Sequence, residues 1–348
     1  MKLVKTIGTS AGTPGIVDIA YYLPERLVTN EELSLGYPGW NYKRFASVVG
    51  VSTRYIEDDA VPTSEMSARA ANNLFGQGRT SKDGIDFIVQ IVQTGDYIIP
   101  PTACILQEKL GLPTSCGAFD VNLGCSGYVY GLAMAKAFVA SGIAQKVLIV
   151  TAEKNCFWTH HDDVGAHFLM SDAATATVVS NENAAIAIGE FDLGTDGSGA
   201  GNVIIPAGGT AMPYSERTKE PYTDAFGETR YPEYAYMNGT EVYNFTTLVG
   251  PESIKRACEK NEIRMDDVAF FISHQASKAV IKNVQLKVGA DSSRWPSNLE
   301  RVGNTGGSSI PLLLAEILRD KKPSAGAKIV LSGFGAGLSW ASVVLSVN

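Results

Sequence analysis

The sequence predicts an α/β protein built from two pseudo-symmetric halves. Three observations predict it. Apolar, β-branched runs alternate with helical stretches. The same order of elements occurs twice along the chain. Glycine is abundant, at 35 residues, as tight turns and close backbone approaches require.

In the first half, Asp86 to Val92 reads as a buried strand and Thr102 to Leu110 as a helix, stopped by Gly111 with Pro113 beyond. Gly117 to Asn122 is a short strand. Ser126 to Ala140 is a helix with small and apolar residues on most faces, hence buried, and Gly142 stands where a C-cap is expected. Lys146 to Thr151 is the next strand. In the second half, Asp267 to Ile272 is a strand with a polar end, Ser273 to Ser277, followed by a helix over Lys278 to Val288. The turn Gly303-Asn-Thr-Gly-Gly307 precedes a helix, Ser309 to Arg319, and a strand, Lys328 to Ser332. Cys125 lies 21 positions before Lys146, and Asn304 lies 24 before Lys328, so equivalent turns precede equivalent helices. The expected division is 1–180 and 181–348, with Gly194 to Asn238 between the repeated units. That segment carries Tyr214, Tyr222, Phe226, Tyr231, Tyr234 and Tyr236. It is either an ordered cap or interface, since aromatic area seeks burial, or a surface excursion with aromatics folded beneath it.

The chain has 348 residues, of which 45% are hydrophobic and 19% charged, a globular composition with room for two domains or one large duplicated fold. A net charge of −7, with no basic run, argues against a nucleic-acid partner. No apolar stretch approaches the roughly 20 residues needed to span a bilayer. Lys2 is followed by no continuous apolar segment, so no secretory signal is expected. The cysteines at 104, 116, 125, 156 and 258 are odd in number and lack CxxC spacing. They read as free thiols of a reducing cytoplasm, not as a disulfide framework or zinc site.

Cys125 is the leading candidate for chemistry. It follows a strand and Gly124 and opens a helix, whose terminal N–H groups and dipole favour a thiolate. The other reading is a small thiol tolerated at a crowded turn. The remaining four cysteines read as packing residues. His274 ends a strand, where open α/β sheets place ligands. His160 and His161 read as solvated, and His167 is open. No two histidines have the helical spacing of metal ligands, so no metal is expected. Asn304 occupies the turn equivalent to that of Cys125. Gly333-Phe-Gly-Ala-Gly337 closes the last strand with residues small enough to let backbone N–H groups approach a substrate.

Together these segments resemble the β-ketoacyl-acyl carrier protein synthase III family of the thiolase superfamily. The likeness rests on Phe119-Asp-Val-Asn-Leu-Gly-Cys-Ser-Gly-Tyr128, Phe168 to Ala174, Met237 to Tyr243, Ser273-His-Gln-Ala276, Gly303-Asn-Thr305 and Leu331 to Trp340, in order along essentially the whole chain. The resemblance implies a five-layered αβαβα fold, a cytoplasmic homodimer and a Cys125-His274-Asn304 site. Cys125 would take an acyl group from a thioester. His274 and Asn304 would stabilise the enolate formed when malonyl-acyl carrier protein loses CO2, and that carbanion would attack the acyl-Cys. The product would be a 3-oxoacyl thioester for fatty acid or polyketide biosynthesis. The N–H groups of Cys125 and Ala336 would form the oxyanion hole. Phe334, Ser277, Ile99 and Gly306 would contact substrate. No cofactor is implied, because phosphopantetheine thioesters deliver both the acyl and malonyl groups.

The departures concern the coenzyme A nucleotide. Arg44 stands where the family has a stacking Trp; Val48, Val164 and Ala279 stand where it has arginines; Ser277 replaces an Asn. Trp40 and Lys278 are the available substitutes. The donor is therefore an acyl carrier protein, a longer acyl-CoA held differently, or another thioester. Three other activities compete with condensation: acyl transfer to an alcohol or amine without decarboxylation, thioester hydrolysis by a Cys-His pair, and an idle partner subunit, against which the intact Cys-His-Asn set argues. Release of CO2 separates condensation from the rest.

Overall fold

The structure, a computed structural model, describes residues 12–348. The apolar runs form the middle of one long mixed sheet. Its strands are β1 (Gly15–Tyr22), β2 (Phe87–Ile91), β3 (Gly117–Val121), β4 (Lys146–Glu153), β5 (Ala173–Ser180), β6 (Ile186–Thr195), β7 (Val268–Ser273), β8 (Lys328–Gly335) and β9 (Ser339–Val347). Their spatial order is β7-β8-β9-β6-β1-β5-β4-β2-β3. Strands β2, β3 and β4 pair in parallel, as do β7 and β8. The residues of β4 from Val147 onward are buried, as parallel strands covered on both faces require.

Eight helices matter here: α1 (Tyr42–Val49), α2 (Thr63–Gly76), α3 (Thr102–Lys109), α4 (Gly127–Ser141), α5 (Val164–Leu169), α6 (Gly239–Lys260), α7 (Lys278–Val288) and α8 (Ser309–Asp320). Helices α2 and α3 cover one outer face, and α6 and α7 the other. Helices α4 and α8 lie between the two parts of the sheet and share one apolar core with both. The layers therefore run αβαβα. The sheet parts meet at β1 and β6 through only two residue pairs, Gly15↔Ala187 and Ile16↔Ile186. Hence the middle helices carry most of the contact between them.

The repeated order is present in space. β2, α3, α4 and β4 correspond to β7, α7, α8 and β8, whereas β3 has no counterpart among the described strands. The helix predicted at Lys278 to Val288 has those bounds, and Gly142 caps α4 at φ 73°. Two expectations change. Gly333 to Gly337 does not close the last strand: β8 runs through Gly335 and a short turn leads into β9. The antiparallel strands β1, β5, β6 and β9 were not anticipated. In β5 all eight residues are buried, including threonines that read as polar. They are accommodated because Thr177 Oγ1 lies 3.2 Å from the Tyr128 hydroxyl of α4, and Thr175 Oγ1 lies 2.7 Å from Thr151 Oγ1.

The segment 194–238 is ordered, with short strands and 3₁₀ turns. Tyr231, Tyr234 and Tyr236 are half-buried in it, whereas Tyr214, Tyr222 and Phe226 stay exposed. Both readings of this stretch thus hold for part of it.

Leu132 is fully buried on α4, between the sheet parts. We expect Leu132→Ala to lower the unfolding free energy by about 2–5 kcal/mol, read from urea denaturation.

Candidate active site

Cys125 lies between β3 and α4. The first turn of α4 has no side-chain cap, and its Gly127 and Val129 N–H groups donate to the Gly124 and Ser126 carbonyls at 2.8 and 3.2 Å. The thiol is pushed up to about 12, first by burial and then by the nearby charge of Glu153; its own backbone N–H pulls the other way. This corrects the expectation of a favoured thiolate. Desolvation outweighs the helix end, and the resting group is a neutral thiol.

His274 follows β7, and its backbone N–H donates to the Ser332 carbonyl at 2.8 Å. The ring is 2% exposed, and its Nδ1 lies 2.7 Å from Ser309 Oγ on α8. That oxygen also accepts from the Gln275 N–H at 3.4 Å and keeps its own hydrogen to give. Given to Nδ1, that hydrogen would put the proton of the neutral ring on Nε2, as a donor. Burial lowers the His274 pKa to about 3, so the ring stays neutral at physiological pH.

Asn304 is held by its backbone, which donates to Leu169 O at 3.0 Å and accepts from Ser171 N at 2.9 Å. Its Oδ1 accepts the Gly306 N–H at 3.0 Å, and Nδ2 donates to Ala276 O at 3.4 Å, which leaves a second Nδ2 hydrogen free for a ligand.

Three close approaches bring these residues together. A Cβ built on Gly335 would lie 2.8 Å from Cys125 Cβ and 3.0 Å from its Sγ, so β8 passes its bare backbone across the thiol. A Cβ on Gly307, three residues after Asn304, would lie 3.0 Å from Gly124 O. Phe334, 1% exposed, meets the His274 ring edge-on at 6.1 Å between centroids. The Cys125 turn from one sheet part therefore faces His274, Asn304 and Phe334 from the other. The Cys125 N–H turns toward its own thiol, and among the described residues the Ala336 N–H has no backbone acceptor, while the Ala336 carbonyl accepts from Ser339 Oγ at 2.8 Å.

The other expected contacts divide. Gly306 lies beside the site with φ 56°. Ser277 caps α7, its Oγ accepting the Val280 N–H at 3.3 Å. Ile99 is 82% exposed in the loop after β2. At the outer rim, Arg44, Val48 and Lys278 are exposed, and the Lys278 stem lies over Gly50. Trp40 is committed elsewhere: its ring packs at 4.6 Å on Phe168 and 5.0 Å on Phe45.

Two surface expectations are corrected. His160 is not solvated, because its ring stacks on Tyr231 at 3.7 Å and abuts Tyr234. With exposed His161 and Asp162 it forms a group whose ligand atoms lie within 4.8 Å of one another. A search for helical spacing passes over such a loop trio, where Asp162 accepts from the Tyr231 hydroxyl at 2.8 Å. Cys104, read as packing, is exposed on α3, whereas Cys258 is buried; all five thiols are free. Sequence reading also passed over Ser309 and Glu153. A carboxylate ending an otherwise apolar strand was the available signal for Glu153.

Two family models match the chain: 3-oxoacyl-[acyl-carrier-protein] synthase III over residues 119–197, and the C-terminal part of the same family over 258–347. The β-ketoacyl-[acyl-carrier-protein] synthase III of Clostridium perfringens strain 13 is 32% identical over 332 residues, 95% of this chain and 98% of that one. A crystal structure of a 3-oxoacyl-(acyl-carrier-protein) synthase III superposes with a TM-score of 0.92 at 36% identity, covering 96% of this chain and 99% of the other. The Burkholderia xenovorans 3-oxoacyl-(acyl-carrier protein) synthase superposes at 0.87 with 31% identity, covering 97% and 94%.

The depressed His274 pKa carries a sign. An unfolded histidine takes up its proton near pH 6.5 and the buried ring only near 3, so protonation favours unfolding as pH falls through that interval. In the folded protein we expect the His274 ring, followed by NMR, to remain neutral at about pH 5, where an ordinary histidine is protonated.

Proposed function

The chain belongs to the β-ketoacyl-[acyl-carrier-protein] synthase III family, and on that premise we propose how its residues perform the reaction. It is an acyltransferase that joins an acyl group to malonyl-acyl carrier protein with loss of CO2. Cys125 Sγ attacks the acyl thioester; the new S–C bond replaces the old one, and the thiol proton leaves with the departing thiol. The N–H groups of Cys125 and Ala336 hold the tetrahedral oxyanion. Malonyl-acyl carrier protein then binds with its thioester oxygen on His274 Nε2–H and Asn304 Nδ2–H. Loss of CO2 leaves an enolate on those two donors, and its carbon attacks the acyl-Cys125 carbonyl, releasing the 3-oxoacyl product and the Cys125 thiolate, which takes up a proton from water to return to the resting thiol. Phe334 would lie beside the malonyl carboxylate, where an apolar wall favours losing that charge as CO2. The observation that carries the assignment is the convergence of the thiol with two free N–H donors of fixed orientation. Such donors suit a carbanion acceptor better than activation of water or an alcohol.

The halves 1–180 and 181–348 each supply one side of this site. A homodimer is part of the proposal, supported by the edge position of β3 and the exposed apolar run Tyr97, Ile98 and Ile99. Five free thiols suit a cytoplasmic setting. Phosphopantetheine thioesters bring both substrates, and the reaction draws on no prosthetic group. The acyl donor is read as a carrier protein: with Val48, Val164 and Ala279 in place of arginines, and Trp40 packed away, the rim offers little to a nucleotide.

Peptide mass spectrometry after incubation with acyl thioester should place the adduct on Cys125 and find none in Cys125→Ala; an adduct on Cys104 or Cys156 that survives this change refutes the nucleophile. His274→Ala and Asn304→Ala should each slow CO2 release from malonyl-acyl carrier protein by about 10²-fold or more while Cys125 still acylates. Loss of acylation with normal CO2 release would reverse those roles. In single-turnover acylation with one acyl group, the carrier-protein donor should outpace the CoA donor at equal concentration, and an equal CoA rate contradicts the donor reading.

A further inference from the structure

The roles above leave one buried ionisable group beside the nucleophile without a task. Glu153 ends β4, is 1% exposed, and has no ion-pair partner among the described residues; the donors facing its carboxyl are Gln93 and Thr94. Its place is defined from two sides. A Cβ built on Gly306 would lie 3.4 Å from Glu153 Cγ; one built on Gly307 would lie 3.4 Å from its Oε1 and 3.0 Å from Gly124 O. The carboxyl is thus wedged between the turn that follows Asn304 and the turn that carries Cys125. After burial, its charge is the largest influence holding the Cys125 proton in place.

We propose that Glu153 is a positioning residue that serves the nucleophile as a neutral acid: uncharged it permits Cys125 to release its proton, and ionised it holds the thiol protonated and slows acylation. The inference rests on Cys125 being the nucleophile. No proton of Glu153 is consumed. The proton lost by Cys125 leaves on the departing thiol, the S–C bond to Cys125 replaces the one that breaks, and Glu153 keeps its own hydrogen throughout.

The groups around Glu153 agree with this role. Burial first, and then Asp172 from the turn before β5, raise its pKa to about 8, while Gln93 and Thr94 pull it back. Asp172, itself pushed up to about 6, is ionised before Glu153 is. Lys154, next along the chain, directs its Nζ at the carbonyls of Asp58 and Val61, at 3.0 and 2.9 Å. Cys156, on the same loop, has its thiol pKa raised well above the usual value by burial and stays neutral, as does His274 across the site. The Gly306-Gly307 turn brings no charge. Below about pH 8 the carboxyl is therefore neutral and Cys125 reactivity climbs with pH; above it the ionised carboxyl opposes each further step.

The test is alkylation of the full-length protein by iodoacetamide across about pH 6.5 to 9.5, with the modified cysteine mapped by peptide mass spectrometry. In the unsubstituted protein the logarithm of the Cys125 rate should rise with near-unit slope and flatten through about pH 8. In Glu153→Gln, which keeps the shape and removes the charge, the unit slope should continue. A coupling of about one pKa unit makes the variant roughly fivefold faster at about pH 9 and equal within about twofold at about pH 6.5. Parallel unit slopes with no ratio at high pH overturn the proposal. If Glu153→Gln does not fold, the unsubstituted profile decides alone, since an unbroken slope refutes the gate. Label on Cys125 with an unbroken slope defeats only this inference, whereas label directed away from Cys125 defeats the nucleophile and this inference with it.

Discussion

Everything at the site depends on two bare stretches of backbone pressed together. Strand β8 crosses the Cys125 turn so closely that a Cβ on Gly333 would lie 2.7 Å from Cys125 O and 2.8 Å from Ser126 Cα. Any side chain there would push the turn away from the strand. The contact is pinned by Ser126 Oγ, 2.7 Å from Ser339 Oγ on β9. The sheet parts share only two residue pairs at β1 and β6, so the registry of the thiol against His274 and Asn304 is set here and in the α4–α8 layer. The glycines of β8 therefore act through proximity: they let the Cys125 turn of one part of the chain press against the strand that carries Phe334 in the other.

The parts of the fold that sequence reveals are those whose burial is uniform. Strand β4 and helix α7 announce themselves because one has an apolar run from Val147 to Val150 and the other has the helical period and ends in a left-handed glycine. The strands around the β1–β6 junction do not. β5 is built from alanines, threonines and valines, whose hydroxyls find partners only once α4 and β4 are in place. A polar residue satisfied by a distant element looks, in one dimension, like a residue at the surface. β9 was hidden for another reason: the glycine run before it resembles an ending, and only its pairing with β8 and β6 makes it a bend.

The site divides in the same way. Cys125, His274 and Asn304 were legible because each stands at a strand or turn position with a recognisable neighbour pattern, repeated in the two halves. Ser309, which lies 2.7 Å from the imidazole, and Glu153, which is wedged beside the turn after Asn304, were not, because their significance is a distance across the molecule. The Cys125 thiol was misjudged for a related reason. A helix start is visible in sequence and argues for a thiolate, whereas the desolvation that overrides it is a property of everything packed around the turn.

Burial pushes each ionisable group of the site toward its uncharged form: the thiol up to about 12, the Glu153 carboxyl up to about 8 and the imidazole down to about 3. On the proposed reading this common displacement is itself useful. The malonyl group is the substrate that brings a full negative charge into the pocket, and it can leave that hostile surrounding as neutral CO2. What remains is an enolate whose charge sits on one oxygen, where His274 and Asn304 each supply an N–H. A protonated histidine would hold the malonyl carboxylate as strongly as the enolate and so favour the ground state. A neutral donor whose orientation is fixed by Ser309 discriminates by position alone, and catalysis requires that discrimination between ground state and transition state.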